Sequence, residues 1–289
     1  SISSEPSQRY FEDNAAGAAV RNLNADITKL LPIGITTKEE QQKIAACLSS
    51  LDDLITAETE KLEALKAHKK GLMQQLFPAE GETVPRLRFE GFEGEWEETP
   101  MQQLADKIMV GIASAATHAY RKSGVVLFRN QNIKENTLDD SDILYIDEEY
   151  ELAHRGKRLK SGDILIARTG YPGTACVVPQ KYNGAQSFTT LIVRPDLKLA
   201  DPAYLCFYIN SNLGQAFFDA TQIGGGQKNV NAGSLVNMPV SIPSLDEQRM
   251  VASFLDSLED NIRLQKETIA ALKQHKKALL QNLFPTISV

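Results

Sequence analysis

A chain of 289 residues with 42% hydrophobic and 24% charged side chains reads as globular protein, with material for one large or two modest cores. No run approaches the roughly 20 apolar residues of a membrane span, and residues 1–9 show no signal-peptide pattern, so a cytoplasmic protein is expected, with no membrane partner. Cys47, Cys176 and Cys206 are too few and too dispersed for a disulfide framework or a metal cluster, and the net charge of −6 argues against indiscriminate coating of nucleic acid while leaving room for a local basic surface.

One long duplication organises the sequence. A shift of 207 positions carries Glu40-Gln41 onto Glu247-Gln248 and His68-Lys69-Lys70 onto His275-Lys276-Lys277. The same shift carries Leu76-Phe77-Pro78 onto Leu283-Phe284-Pro285, and Tyr10-Phe11 onto Phe217-Phe218. Residues 1–78 therefore copy 208–285, in the order repeat, unique segment, repeat. The first copy begins inside its unit and without Met, which reads as a truncated form or fragment; residues 1–31 are expected to be the remnant of a preceding domain.

Residues 32–78 are expected to carry the first long helix. Thr37-Lys38-Glu39-Glu40 has the form of a capping box, in which hydroxyl and carboxylate each satisfy the other's backbone amide. Pro32 keeps the entry extended, and Phe77-Pro78 supplies the stop. Between them Leu48, Leu51, Ile55, Leu62, Leu65, Leu72 and Leu76 recur at steps of three, four and seven, a heptad seam with gaps at Glu58 and Lys69. The copy at 244–289 repeats all of this, with Ser244 to Glu247 as the box and gaps at Gln265 and Lys276. Its seam is Leu255, Leu258, Ile262, Ile269, Leu272, Leu279 and Leu283. Each helix would span roughly 60 Å, too long for one small domain to cover. The two seams are thus expected to bury each other as an antiparallel coiled coil, the alternative being two amphipathic helices lying separately on globular cores.

The unique segment, 79–243, has a different character. Glu80-Gly81-Glu82 and residues 91–98 are acidic and read as an exposed linker. Short β-branched runs follow at 125–128, 143–146, 164–167, 175–178 and 189–193, separated by turns such as Tyr171-Pro172-Gly173. Asp201-Pro202 opens a helix expected to run to about Ala220. The whole is expected to be α+β: one domain with a curved, mostly antiparallel sheet and short helices, plus the two long helices.

Charge within this segment is uneven. Residues 139–151 hold only acids among their charged side chains, whereas Arg155, Lys157, Arg158, Lys160, Arg168, Lys181 and Arg194 follow with only Asp163 against them. A concentrated basic stretch suits contact with phosphates, and equally suits a solvated face without a ligand. Arg121, Lys122, Arg129, Asn130, Thr169 and Tyr171 join Arg155, Lys157, Arg158, Lys160 and Arg168 as candidate DNA contacts. So do Gln227, Lys228 and Asn229, which stand beside three glycines; Gln or Asn can read adenine through paired hydrogen bonds, although a plain loop explains the run as well.

Pro85-Arg86-Leu87-Arg88-Phe89-Glu90-Gly91-Phe92 with Glu95-Trp96, the segment 162–170, and Ile242-Pro243-Ser244-Leu245-Asp246-Glu247-Gln248 together carry a likeness, as do both Leu-Phe-Pro helix ends. Over nearly its whole length the chain resembles the specificity (S, HsdS) subunit of bacterial Type I restriction–modification systems. The resemblance implies a non-catalytic chain whose target-recognition domain, 79–243, reads half of a bipartite site on double-stranded DNA. It implies that the paired helices dock methyltransferase (M) subunits, which hold S-adenosylmethionine and methylate adenine, and that a restriction (R) subunit completes the complex. No cofactor is expected in this chain. With one recognition domain in place of two, it is similar to a half-length form, for which self-association is open.

An enzyme reading finds no adenine-methylation motif, phosphate loop or His/Cys metal spacing to rest on. The competing reading is a coiled-coil adaptor with a protein-binding head. The repeated lysine clusters, Lys66, Lys69 and Lys70 with Lys273, Lys276 and Lys277, are compatible with spacer DNA, a partner subunit or plain solvation.

Overall fold

The computed structural model describes residues 10–13, 15, 25–30, 35–221 and 230–284. Of the expected remnant at 1–31 this includes a short helix, Ala25–Lys29; Gln227, Lys228, Asn229 and Pro285 lie outside the described residues. The long helices span Lys38–Leu76 and Leu245–Leu283. The backbone divides into two compact units, Ser1–Ala67 with Glu259–Val289, and His68–Leu258.

In the first unit the two helices pair antiparallel. Leu62, Ile262 and Ile269 are buried together, with Leu65 packed against them. Leu48, Leu51, Ile55, Leu272, Leu279 and Leu283 are half-buried. The seam gaps are filled by one another: Gln265 Nε2 donates to the Glu58 carbonyl at 2.9 Å and to its carboxylate at 2.6 Å. These two residues are repeat equivalents, 207 positions apart, so their meeting places the pseudo-two-fold of the pair at this level. Lys276 reaches Asp52 across the pair.

The capping boxes form by half. Each hydroxyl accepts its amide, Glu40 N at Thr37 Oγ1 and Glu247 N at Ser244 Oγ. The carboxylates do not return the bond: Glu40 takes the hydroxyl of Thr36, and Glu247 takes the guanidinium of Arg88. Arg88 donates through Nε at 2.8 Å and Nη2 at 2.9 Å to a Glu247 that is 2% exposed, and thereby fastens the 85–92 segment to the helix start.

In the second unit a four-stranded antiparallel sheet runs in the order Ala105–Val110, Leu191–Pro195, Ile164–Ile166, Ala175–Val177. Its side chains alternate between two cores. Ile164, Ile166, Ala175, Leu191 and Val193 join the larger core with Met73, Leu76, Phe77, Trp96 and Leu255. Leu165, Ala167, Cys176, Val178 and Ile192 face the smaller one with Phe128 and Leu159. Burial on both faces is why these strands read as unbroken apolar runs. A second sheet orders Gln186–Ser187, Val125–Phe128, Leu144–Ile146 and Tyr120–Arg121, with the first pair parallel and the rest antiparallel.

Three local expectations are corrected. Residues 91–98 are not simply exposed linker: Trp96 is buried against Tyr204, and Glu97–Pro100 forms a strand with Pro239–Ile242. The single helix expected after Asp201 is two, Pro202–Asn210 and Asn212–Thr221, because Ser211 takes the Tyr208 carbonyl and Gly214 packs directly on the Ile209 carbonyl, where a Cβ would lie at 2.2 Å. The run at 189–193 becomes strand only from Leu191, since Thr189 adopts φ 53°.

Candidate nucleic-acid interface

Folding brings the acidic and basic runs of 121–194 together. Asp147 caps the helix Glu148–Ala153 by accepting the Tyr150 amide at 2.7 Å and pairs with Arg121 at 2.6 Å. Glu151, buried, takes Arg158 through two bonds of 2.6 Å and Gln186 at 2.9 Å; the Arg158 guanidinium, and then Gln186, hold its carboxyl below the usual range against the opposing effect of burial. Asp140 accepts from Lys181 and from the Tyr182 hydroxyl, each at 2.6 Å, which lowers its pKa in that order of effect. Asp142 holds Arg129, and Asp163 holds Arg194. Lys157 donates to the Gly111 carbonyl at 2.8 Å.

Most of the basic residues counted in the sequence are therefore engaged inside the fold. Among the described candidates, Lys122, Arg155, Lys157, Lys160 and Arg168 have no carboxylate partner; Lys122, Arg155 and Lys160 are exposed, whereas Lys157 and Arg168 are half-buried. An exposed cation without a counter-charge is what a phosphate recruits, whereas Arg121, Arg129 and Arg158 would have to exchange partners first.

Arg168, Thr169 and Tyr171 stand on one tight turn leaving the strand Ile164–Ile166, with Gly170 and Gly173 at φ 80° and 89°. Tyr171 at its tip is 80% exposed. Asn130, a candidate from a different part of the chain, accepts the Arg168 amide at 2.7 Å through Oδ1. Its Nδ2 donates to Thr189 Oγ1 at 3.2 Å. Thr189, Gln215 and Val230 support this turn and were not among the sequence candidates. Their types are unremarkable and their neighbours in sequence lie elsewhere; only the left-handed backbone of a β-branched residue marks Thr189, and that is invisible in sequence.

No cluster of three or more His, Cys, Asp or Glu side chains suited to a metal occurs among the described residues, and no described helix is long and apolar enough to cross a membrane.

A family profile described as "Type I restriction modification DNA specificity domain" matches residues 93–274. The chain belongs to this family. Among relatives of this specificity-subunit chain, the Type I restriction enzyme MjaVIII specificity subunit of Methanocaldococcus jannaschii is 22% identical over 289 residues, covering 96% of this chain and 66% of the relative. The putative type I restriction enzyme MjaX specificity subunit of the same organism is 23% identical and covers 91% of this chain and 60% of its own length. The specificity-subunit chain thus spans about two thirds or less of these curated relatives. The S subunit of the M. genitalium Type I system superposes with a TM-score of 0.62 at 14% identity, over 98% of this chain and 71% of that one. The HsdS subunit from Thermoanaerobacter tengcongensis superposes at 0.54 and 17%, over 98% and 68%. Both share the fold.

Proposed function

We propose that this chain is the DNA-reading component of a Type I restriction–modification complex of the cytoplasm, without catalytic chemistry of its own. Residues 79–243 act as a target-recognition domain on one half of a bipartite duplex site. The helices of 32–78 and 244–289 dock methyltransferase subunits, which bring S-adenosylmethionine and methylate adenine, and a restriction subunit joins the full assembly. The observation that carries this reading is the pattern of neutralisation: the acidic run engages the structural arginines and leaves Lys122, Arg155 and Lys160 exposed and uncompensated on the same domain.

The test is the salt dependence of duplex binding by the complex with its cognate methyltransferase subunit. Each phosphate contact contributes a slope of about −0.9 in log K against log salt, so the double substitution Arg155→Ala/Lys160→Ala is expected to make the slope shallower by about 1.8 and to weaken all sequences alike. An unchanged slope, or duplex binding indifferent to salt in the wild type, favours the adaptor reading instead.

A further inference from the structure

The recognition domain holds one arginine unlike the rest. Arg88, Arg121, Arg129, Arg158 and Arg194 each direct the guanidinium at a carboxylate. Arg86 and Arg155 are exposed. Arg168 is half-buried, and its hold on the fold is through the backbone and one nitrogen of the side chain. Its amide is fixed by Asn130, its carbonyl accepts from Val230 N at 3.4 Å, and its Nε donates to the Val230 carbonyl at 3.1 Å. Neither Nη atom has a partner among the described residues. The outcome is an anchored guanidinium with two parallel donors left over.

The turn that carries it is braced on every side. Gly173 closes the turn onto the Ala167 carbonyl at 2.9 Å, and Gln215 takes the Gly173 carbonyl at 3.2 Å. The ring of Phe218 lies where a Gly173 side chain would begin, at 2.4 Å, so only glycine fits the floor. Asn130 is itself held by Thr189, a β-branched residue kept at φ 53° by its amide bond to the Ile112 carbonyl. Backbone strain of this kind persists where the surroundings over-determine it, and it clusters where a group must be aimed.

We propose that Arg168 reads a guanine, its two free Nη donors meeting the O6 and N7 acceptors that guanine alone presents as a pair in the major groove, and that Asn130 and Thr189 are positioning residues for it. The inference rests on the DNA-reading function proposed above. A phosphate contact would need only positive charge, for which a mobile lysine serves; a fork fixed at Nε and open at Nη is the geometry of bidentate base contact. The exposed Tyr171 at the tip of the same turn adds an aromatic surface beside the reader.

The experiment uses the complex with its cognate methyltransferase subunit and duplexes carrying the mapped site, with 7-deazaguanine placed at each guanine in turn to delete one N7. The wild type is expected to lose affinity at one guanine, and Arg168→Lys, which keeps the charge, is expected to lose discrimination at that same position by roughly 5- to 150-fold with the salt slope unchanged. The deazaguanine penalty should then vanish in the variant, and Asn130→Ala should show a smaller loss confined to that position. Discrimination retained in Arg168→Lys, or loss spread evenly over all positions, overturns the assignment while DNA reading stands. A wild type indifferent to every deazaguanine overturns it without recourse to any variant. No preference of the wild type for its site over a scrambled duplex overturns both readings.

Discussion

Leu62→Asp is expected to melt the paired helices at far lower temperature than the parent. Leu62 is 8% exposed and packs with Ile262 at 4% and Ile269 at 6%. Truncating such a residue costs about 2–5 kcal/mol, and a carboxylate with no partner at the site adds the cost of its desolvation. A loss of about 4 kcal/mol corresponds to a drop of roughly 15–30 °C in the transition of that unit. Far-UV circular dichroism with limited proteolysis of the helices reads the effect. Leu54→Asp is the control, on the same helix but 44% exposed, and should move the transition by less than about 0.5 kcal/mol. Equal melting of the two variants means that the seam is not where the helices hold together.

Asp163→Ala is expected to cost about 3–5 kcal/mol in the other unit, the usual result of removing one partner from a buried pair. Asp163 is 1% exposed and accepts Arg194 Nε at 2.8 Å, Arg194 Nη2 at 2.7 Å and the Lys160 amide at 2.7 Å. Without it, a guanidinium whose side chain is only 17% exposed loses both of its carboxylate bonds and keeps only the Arg158 carbonyl and the weaker attraction of Asp106. Replacing both partners, Asp163→Ala with Arg194→Met, should restore a good part of the loss, because an apolar pair of similar bulk avoids desolvating either charge. Chemical denaturation of the four members of that cycle checks it; additive losses would mean that the two side chains act independently.

The long helices were legible because their signals are local and occur twice. A hydroxyl three residues before an acid marks the start, a heptad step marks the face, and Phe-Pro marks the end; the ends observed at Leu76 and Leu283 lie beside those marks. The apolar strands at 164–167 and 175–178 were legible because their signal, a short apolar run between turn residues, is local too. What sequence concealed is long-range. The acidic stretch at 91–98 looks solvated until Trp96 finds Tyr204, and Glu247 looks like half of a capping box until Arg88 arrives from 159 residues away. The candidate site suffered in the same way. Counting charges showed a basic run following an acidic one, but whether Arg158 faces DNA or Glu151 depends on a turn of chain that no count describes. Arg168 was visible as a residue beside a glycine, whereas the Asn130–Thr189 brace depends on three segments meeting and on one backbone angle.

In the proposed function, this chain gives sequence specificity to adenine methylation. The decisive measurement is to co-express it with its cognate methyltransferase subunit in a host lacking the system and map methylated adenines across the genome. Methylation is expected to be confined to one recurrent motif and to disappear when this chain is left out. Methylation that is identical with and without the chain, or scattered without any common motif, would contradict the proposed function.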